Sequence, residues 1–273
     1  MNDSMAERRL TTSVSGCDID LITVGNGPTL LFLHGGEGPD VPTDAYIKAL
    51  AKHFTVIAPW HPGFGRRSRG ERLREISDLA YLYLDLVEQQ NIKNGVLVGS
   101  SFGGWIAAEM MVRNSSAFSQ LVLSAPLGIK VRDRESRDIE DVFALTDEEF
   151  RAIAYADPSQ GYQDLASLSD EDLTGYFRSR ESLAFFCWKP YMHNPQLKNW
   201  LHRIKIPTLL VSGAKDRVVF DGYYTAYSSY LPLCTHHTLD GAGHFPHVEQ
   251  TEEFVRILRD HYNVRVAPTA SVV

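Results

Sequence analysis

In the stretch Gly99-Ser100-Ser101-Phe102-Gly103 a serine lies between glycines two positions away on either side. An apolar run, Gly95 to Val98, precedes it and a helical pattern, Trp105 to Arg113, follows, so the serine falls where a strand turns sharply into a helix. Such a turn strains the serine backbone and crowds its neighbours, and Gly99, Gly103 and Gly104 supply the missing space. Reversal at Ser101 presents its Oγ at the carboxyl end of a sheet, and it aims the Phe102 N–H, at the helix start, toward developing negative charge. The letters alone are weak: at average usage of about 7% for Gly and similar for Ser, chance gives this pattern in roughly one chain in ten of this length. The residues that accompany it must carry the argument.

A serine hydroxyl needs a base to take its proton near neutral pH, and ten histidines compete for that role. His244 stands out because Gly241-Ala-Gly-His244 is a small-residue loop directly after the candidate strand Thr235 to Leu239. His236 and His237 lie within that strand, one toward the core and the other on the opposite face. His53, His202 and His261 lie in or beside amphipathic helical stretches, as surface or packing residues, and His34 reads as a structural, hydrogen-bonded imidazole. His61 and His193 stay open, and His247, in Phe245-Pro-His-Val, is the nearest competitor. The orienting acid should also follow a strand and precede the histidine. Asp216, in Ser212-Gly-Ala-Lys-Asp-Arg217, does so, whereas Asp240 is too close to His244 along the chain and is better suited to holding the loop.

A further loop, Leu33-His34-Gly35-Gly36-Glu37-Gly38-Pro39, follows the candidate strand Thr29 to Leu33. Its glycines permit a tight turn with an inward N–H. Gly36 is the expected second oxyanion donor beside Phe102, with Glu37 as the fallback.

These residues require a sheet that presents them at one rim. Short apolar runs bounded by Gly, Pro and Asp recur at Thr29–Leu33, Thr55–Ala58, Gly95–Val98, Gln120–Ser124, Thr208–Ser212 and Thr235–Leu239, with amphipathic helical stretches between several of them. That alternation predicts an α/β fold, a mostly parallel central sheet flanked by helices. Runs such as Leu30-Leu31-Phe32-Leu33 lack period-two alternation, as strands covered on both faces do. Thr11–Ser15 and Ile19–Val24 alternate more clearly around Gly16 and predict an antiparallel pair at the sheet's edge. Helices are expected over Asp78–Gln90, with Leu79, Leu82, Tyr83, Leu86 and Val87 on one face, and over Thr251–Tyr262, with Phe254, Ile257 and Leu258.

Between Pro126 and Ile206 the strands vanish, and helix-start signals take over at Thr146-Asp-Glu-Glu149 and Ser169-Asp-Glu-Asp172. The reading is a core of residues 1–125 and 206–273 interrupted by a helical insertion at 126–205. Most of the insertion's aromatics, Tyr176, Phe177, Phe185, Phe186, Trp188 and Tyr191, are expected to form its own small core and the rest to line a pocket. Phe185 and Trp188, with Glu37 and Phe245, are the candidate substrate contacts. The tail after Tyr262 has no periodicity and is expected to fray.

Composition narrows the partners. The 273 residues carry a formal net charge of -7, and the densest basic stretch, Arg66 to Arg74, is interleaved with Glu71 and Glu75 as a solvated loop, so nucleic acid is not an expected partner. Cys17, Cys187 and Cys234 have no metal-ligand spacing and read as reduced and structural. Met1 to Thr12 shows no apolar signal region, and no stretch approaches the roughly 20 apolar residues of a membrane span. These features point to the cytoplasm, with no membrane partner. Oligomeric state is not legible.

With the His34-Gly35-Gly36 loop, the Pro59-Trp-His-Pro-Gly-Phe-Gly65 turn, the serine turn, Asp216 and His244 in this order, the sequence resembles the α/β-hydrolase superfamily over most of its length. The resemblance implies Ser101 as nucleophile, His244 as general base, Asp216 as its orienting acid, and a cap at the insertion. It implies a small-molecule substrate with an ester, amide, thioester or carbon–carbon bond, and no metal or organic cofactor. A serine in the turn argues against the haloalkane dehalogenase and epoxide hydrolase branches, which use a carboxylate there. Meta-cleavage-product hydrolases commonly carry tryptophan after the catalytic histidine, where this chain has Phe245, and proline iminopeptidases usually carry it after the nucleophile, where this chain has Phe102. The leading expectation is a carboxylesterase for small or medium apolar esters. Its alternatives are a carbon–carbon bond hydrolase, with Arg178 or Arg180 meeting a dienoate carboxylate, and a non-catalytic small-molecule receptor on the same fold.

Overall fold

The computed structural model describes residues 7–38 and 43–266. The chain opens with a hairpin, β1 (Arg8–Val14) and β2 (Cys17–Val24). Both turn residues, Ser15 and Gly16, have positive φ (49° and 79°), the geometry of a two-residue turn whose twist matches the strands. There follow β3 (Thr29–Leu33), α1 (Thr43–Ala51), β4 (Thr55–Pro59), α2 (Ile76–Gln89), β5 (Gly95–Ser100), α3 (Ser101–Arg113) and β6 (Phe118–Ser124). The insertion holds α4 (Asp147–Ala154), α5 (Asp170–Cys187), the short α6 (Leu197–Trp200) and three single 3₁₀ turns. The chain then returns to the sheet with β7 (Thr208–Gly213), α7 (Tyr223–Ser229), β8 (Cys234–Leu239), α8 (Pro246–Glu249) and α9 (Thr251–Val266).

The eight strands lie in the order β1-β2-β4-β3-β5-β6-β7-β8, parallel from β4 through β8 and antiparallel where β2 meets β1 and β4. Successive residues of the apolar strands serve opposite faces: Leu31, Leu33 and Leu97 pack with α2 and α3, while Leu30, Phe32, Val96 and Val98 pack with α1 and α9. Such strands carry no polar alternation because helices cover both faces. The exception is β8, whose outer position leaves Thr235, His237 and Thr238 exposed. Its His236 is half-buried and lies 2.8 Å from the Ser212 hydroxyl.

Both helix-start signals in the insertion are realised. The Thr146 hydroxyl accepts the Glu149 N–H while Glu149 accepts the Thr146 N–H, and the Ser169 hydroxyl accepts the Asp172 N–H. Helix α3 begins at Ser101, four residues before its apolar pattern, because Gly103 and Gly104 carry no side chain to mark the first turn. Helix α9 runs past Tyr262 to Val266, where a frayed tail was expected; residues 267–273 of that tail lie outside the described residues. No described helix is long and apolar enough to cross a membrane. The three cysteines are unpaired.

The insertion's aromatics depart from expectation. Phe186 is buried, but Phe177, Phe185 and Trp188 are exposed. Helix α5 docks through small residues instead: Gly175, Ser179 and Ser182 face the loop after β4, where Ser179 Oγ accepts the Gly65 N–H at 2.9 Å and Ser182 Oγ donates to the Gly63 carbonyl at 2.6 Å.

Candidate active site

Ser101 is the first residue of α3 and has φ 49°, a left-handed conformation strained for any residue with a side chain. The surrounding backbone explains why the sequence is small there. A Cβ on Gly99 would lie 2.4 Å from the Gly103 carbonyl oxygen, and one on Gly103 would lie 2.2 and 2.3 Å from the carbonyl oxygens of Leu33 and His34. Ser100 makes no side-chain cap, so the first N–H groups of α3 stay open beside the serine.

Ser101 Oγ lies 2.8 Å from His244 Nε2, and His244 Nδ1 lies 2.8 Å from Asp216 Oδ2. The imidazole and carboxylate are almost fully buried, with 3% and 2% of their side chains exposed. Asp216 also accepts the Val218 N–H on Oδ1 and the Tyr224 hydroxyl, at 2.6 Å, on Oδ2. Three residues far apart along the chain therefore meet at the carboxyl ends of β5, β7 and β8, in a hydroxyl–imidazole–carboxylate hydrogen-bond relay whose imidazole can take the hydroxyl proton while the carboxylate orients the ring. Tyr224 has no sequence signal, because its role arises only when α7 folds back over Asp216. Tyr224→Phe would remove one of the three bonds that orient this carboxylate.

The other histidines separate by environment. His34 Nδ1 donates to the Gly35 carbonyl while Nε2 accepts the His61 N–H, and His61 Nε2 in turn donates to the His34 carbonyl while Nδ1 accepts the Tyr83 hydroxyl. The two rings thus interlock the loops after β3 and β4. Burial pushes His34 down to about 4 and His61 well below the usual histidine range, so both are neutral. His247, the competitor nearest His244, lies on the other face of the sheet among Phe32, Tyr46 and Phe254, with Nδ1 3.2 Å from Ser124 Oγ, and burial pushes it down to about 3. His193 is half-buried and contacts the Tyr191 carbonyl, away from Ser101.

Ser101, Phe102 and His244 open into a cavity of ≈ 140 Å³. Its walls include Leu127, Ile139, Val142, Phe143, Leu183 and Phe245, an apolar lining close in size to cavities that hold a benzene-sized molecule. Gly36, Glu37 and Phe245 line it as well, whereas Phe185 and Trp188 do not. Those two expected contacts are corrected. Docking of α5 through its small residues turns Phe185 outward, where Arg69 stacks on it at 3.3 Å, and Trp188 rests on Phe143 from outside. Arg180 reaches the cavity but is paired with Asp147 at 2.8 Å, and Arg178 instead donates to the Gly65 carbonyl. Burial pushes the Glu37 carboxyl up to about 7, although a charged His244 would draw it down.

The insertion is bonded to the loops that carry the relay. The His244 N–H donates to the Ala154 carbonyl, and the Arg217 N–H donates to the Ile153 carbonyl at 3.0 Å. Glu249 spans both sides, accepting the Gly243 N–H at 2.8 Å and the Ala156 N–H at 2.7 Å. Neither bridge was legible in the sequence, since each joins residues whose proximity depends on where the insertion lies. No group of three or more His, Cys, Asp or Glu side chains placed to hold a metal occurs among the described residues.

Comparison with known proteins gives a consistent picture. A family model described as the alpha/beta hydrolase fold matches residues 28–251. Among curated proteins, an abhydrolase domain-containing protein of Caenorhabditis elegans is 24% identical over 91% of this chain, which spans only 62% of that protein's length. A 2-hydroxy-6-oxo-2,4-heptadienoate hydrolase of Pseudomonas putida is 25% identical over 95% of this chain and 98% of its own. Among solved structures, a mutant of a meta-cleavage product hydrolase from Pseudomonas fluorescens superposes with a TM-score of 0.75 at 22% identity, covering 93% of this chain and 97% of that one, a likeness of fold.

Proposed function

The chain belongs to the alpha/beta hydrolase fold family, and from that premise we propose that it is a serine hydrolase, a carboxylesterase for small, largely apolar esters. The observation that carries this reading is the continuous contact Ser101–His244–Asp216 opening into an apolar cavity. In this reading Ser101 Oγ attacks the ester carbonyl as His244 Nε2 takes its proton. The Phe102 and Gly36 N–H groups stabilise the oxyanion, and the imidazolium, held by Asp216, protonates the departing alkoxide. The same imidazole then takes a proton from water as the water attacks the acyl-enzyme, and returns that proton to Ser101 Oγ as the carboxylic acid leaves. The insertion acts as a cap that supplies the outer wall of the cavity and selects a small-molecule substrate. The walls are rich in aliphatic and aromatic side chains, and the cavity's size favours short acyl groups.

Carbon–carbon bond hydrolysis is the second reading, favoured by the Pseudomonas putida relative that matches nearly end to end. It ranks below the first because Arg180 at the cavity is paired with Asp147 and Arg178 is engaged elsewhere, which leaves only Arg151, stacked on Tyr162, as a wall arginine without a carboxylate partner among the described residues. A non-catalytic receptor would have no use for the relay contact.

Two measurements test the assignment. A fluorophosphonate is expected to form an adduct that maps to Ser101, and p-nitrophenyl acetate and butyrate are expected to turn over faster than long-chain esters. Labelling elsewhere, or no turnover at any chain length, would remove the esterase. Loss of absorbance from a vinylogous diketone dienoate, without ester turnover, would install the second reading in its place.

A further inference from the structure

The loop that carries Gly36 has an unusual internal acceptor. Glu37 folds back so that Oε1 takes the Gly35 N–H at 3.1 Å, and its carboxylate also faces its own backbone N–H. The carboxyl group lies flat on Gly35: a Cβ there would fall 2.1 Å from Oε2 and 2.8 Å from Cδ. Only glycine at 35 leaves room for this fold-back. On its other side the loop is fixed by the Gly35 carbonyl, which accepts both His34 Nδ1–H and the Gly38 N–H. The amide before Gly36 is thus held by the Glu37 side chain and the amide after it faces the same carboxyl, whose Oε2 is buried without a partner, while the Gly36 N–H has no acceptor among the described residues and Gly36 itself lines the cavity with Ser101 and Phe102.

We propose that Glu37 is a positioning residue for the oxyanion site: by holding the Gly35 and Glu37 amides, its carboxyl leaves the Gly36 N–H as the single loop donor presented to the reacting carbonyl. The arrangement favours Gly36 over Glu37 as the loop donor, because the Glu37 N–H faces its own carboxyl. Three adjacent N–H groups of such a loop form a concavity that would otherwise fill with water or bind an anion in several ways. An internal carboxyl removes that freedom before substrate arrives, which is worth most where charge develops only in the transition state. Glu37 lines the same cavity as His244 and as Tyr155 of the insertion.

This role rests on the serine-hydrolase reading, and its test separates the two. Glu37→Ala frees both amides, whereas Glu37→Gln keeps a carbonyl acceptor for the Gly35 N–H. With p-nitrophenyl butyrate, Glu37→Ala is expected to lower kcat about 10- to 100-fold with KM within about threefold, below the about 10²–10³-fold cost of deleting an oxyanion donor outright. Affinity for an alkylboronic acid, which mimics the tetrahedral oxyanion on Ser101, is expected to fall by the same factor, and Glu37→Gln is expected to recover most of both losses. Glu37→Met, which fills the same space without an acceptor, serves if Glu37→Ala fails to fold: a fall in boronate affinity of about 10- to 100-fold supports the role, and affinity within about threefold of wild type overturns it. Equal kcat and boronate affinity in Glu37→Ala and wild type would overturn it, as would a change confined to KM. Wild-type protein that neither labels nor turns over would instead remove the hydrolase reading and this role with it.

Discussion

Replacing Ser101 with alanine is expected to lower kcat for p-nitrophenyl butyrate about 10⁵- to 10⁶-fold, to the level left by the oxyanion donors and the cavity alone. The hydroxyl is the atom 2.8 Å from His244 Nε2, and nothing else in the cavity wall is a nucleophile aligned with that base. The loss is expected in kcat, with folding intact, since alanine fits the turn at least as well as serine. Asp216→Asn should cost less, about 10⁴-fold, because it leaves the imidazole in place but favours the wrong tautomer. The Val218 N–H bond to Oδ1 would hold the amide in position, so the variant isolates charge from geometry. Near-equal activity of Ser101→Ala and wild type, after removal of contaminating host esterase, would dismantle the mechanism.

The second large effect is acid instability beginning unusually early. His34, His61 and His247 are neutral and buried in the fold, with pKa values about 4, well below normal, and about 3, whereas each takes up a proton near pH 6.5 in an unfolded chain. A histidine whose folded pKa is depressed contributes fully above pH 6.5 and withdraws that contribution as pH falls toward the folded value. Glu37 has the opposite sign: with a folded pKa about 7, against about 4.3 unfolded, it adds stability as pH falls through that interval. Three histidines against one carboxyl leave a net uptake of about two protons on unfolding near pH 5, a slope of ~2.7 kcal/mol per pH unit. Over the two units from pH 6.5 to 4.5 that slope removes at most ~5 kcal/mol, which brings a domain at the low end of the ordinary range of about 5–15 kcal/mol to its unfolding point near pH 4.5. Urea titrations at pH 7.5, 6.5, 5.5 and 4.5 read it directly, and an uptake below one proton between pH 5.5 and 4.5 would refute the burial of these rings.

What the sequence disclosed follows from which interactions are local. Strands β3, β5 and β7 were legible because unbroken apolar runs have few alternatives in a chain of this composition. Ser101 and Asp216 were legible because each sits in a small-residue loop directly after such a run, and His244 because Gly241-Ala-Gly leads into it after β8; the backbone contacts around Gly99 and Gly103 give the physical reason the serine turn must be small. Helix α5 misled for an equally physical reason: its aromatics suggested a buried face, but the core-facing positions are Gly175, Ser179 and Ser182, which approach the backbone of Gly63 and Gly65 closely and hydrogen-bond to it. Phe185 and Trp188 were consequently placed on the wrong side. Tyr224, Glu249 and the His34–His61 interlock gave no signal, since their partners are met only after tertiary contacts form.

Helices α4 and α5 are each tied into the core by backbone groups rather than by side-chain packing alone. The Ala154 and Ile153 carbonyls receive amides from the loops that hold His244 and Asp216, and Gly63 and Gly65 are bonded to Ser182 and Ser179. The insertion is therefore not an exchangeable cassette. A graft from a relative would strip hydrogen bonds from the very loops that align base and acid, so altered substrate preference in this scaffold is better sought by resizing wall residues such as Val142, Phe143 and Leu165 while leaving the stitched backbone untouched.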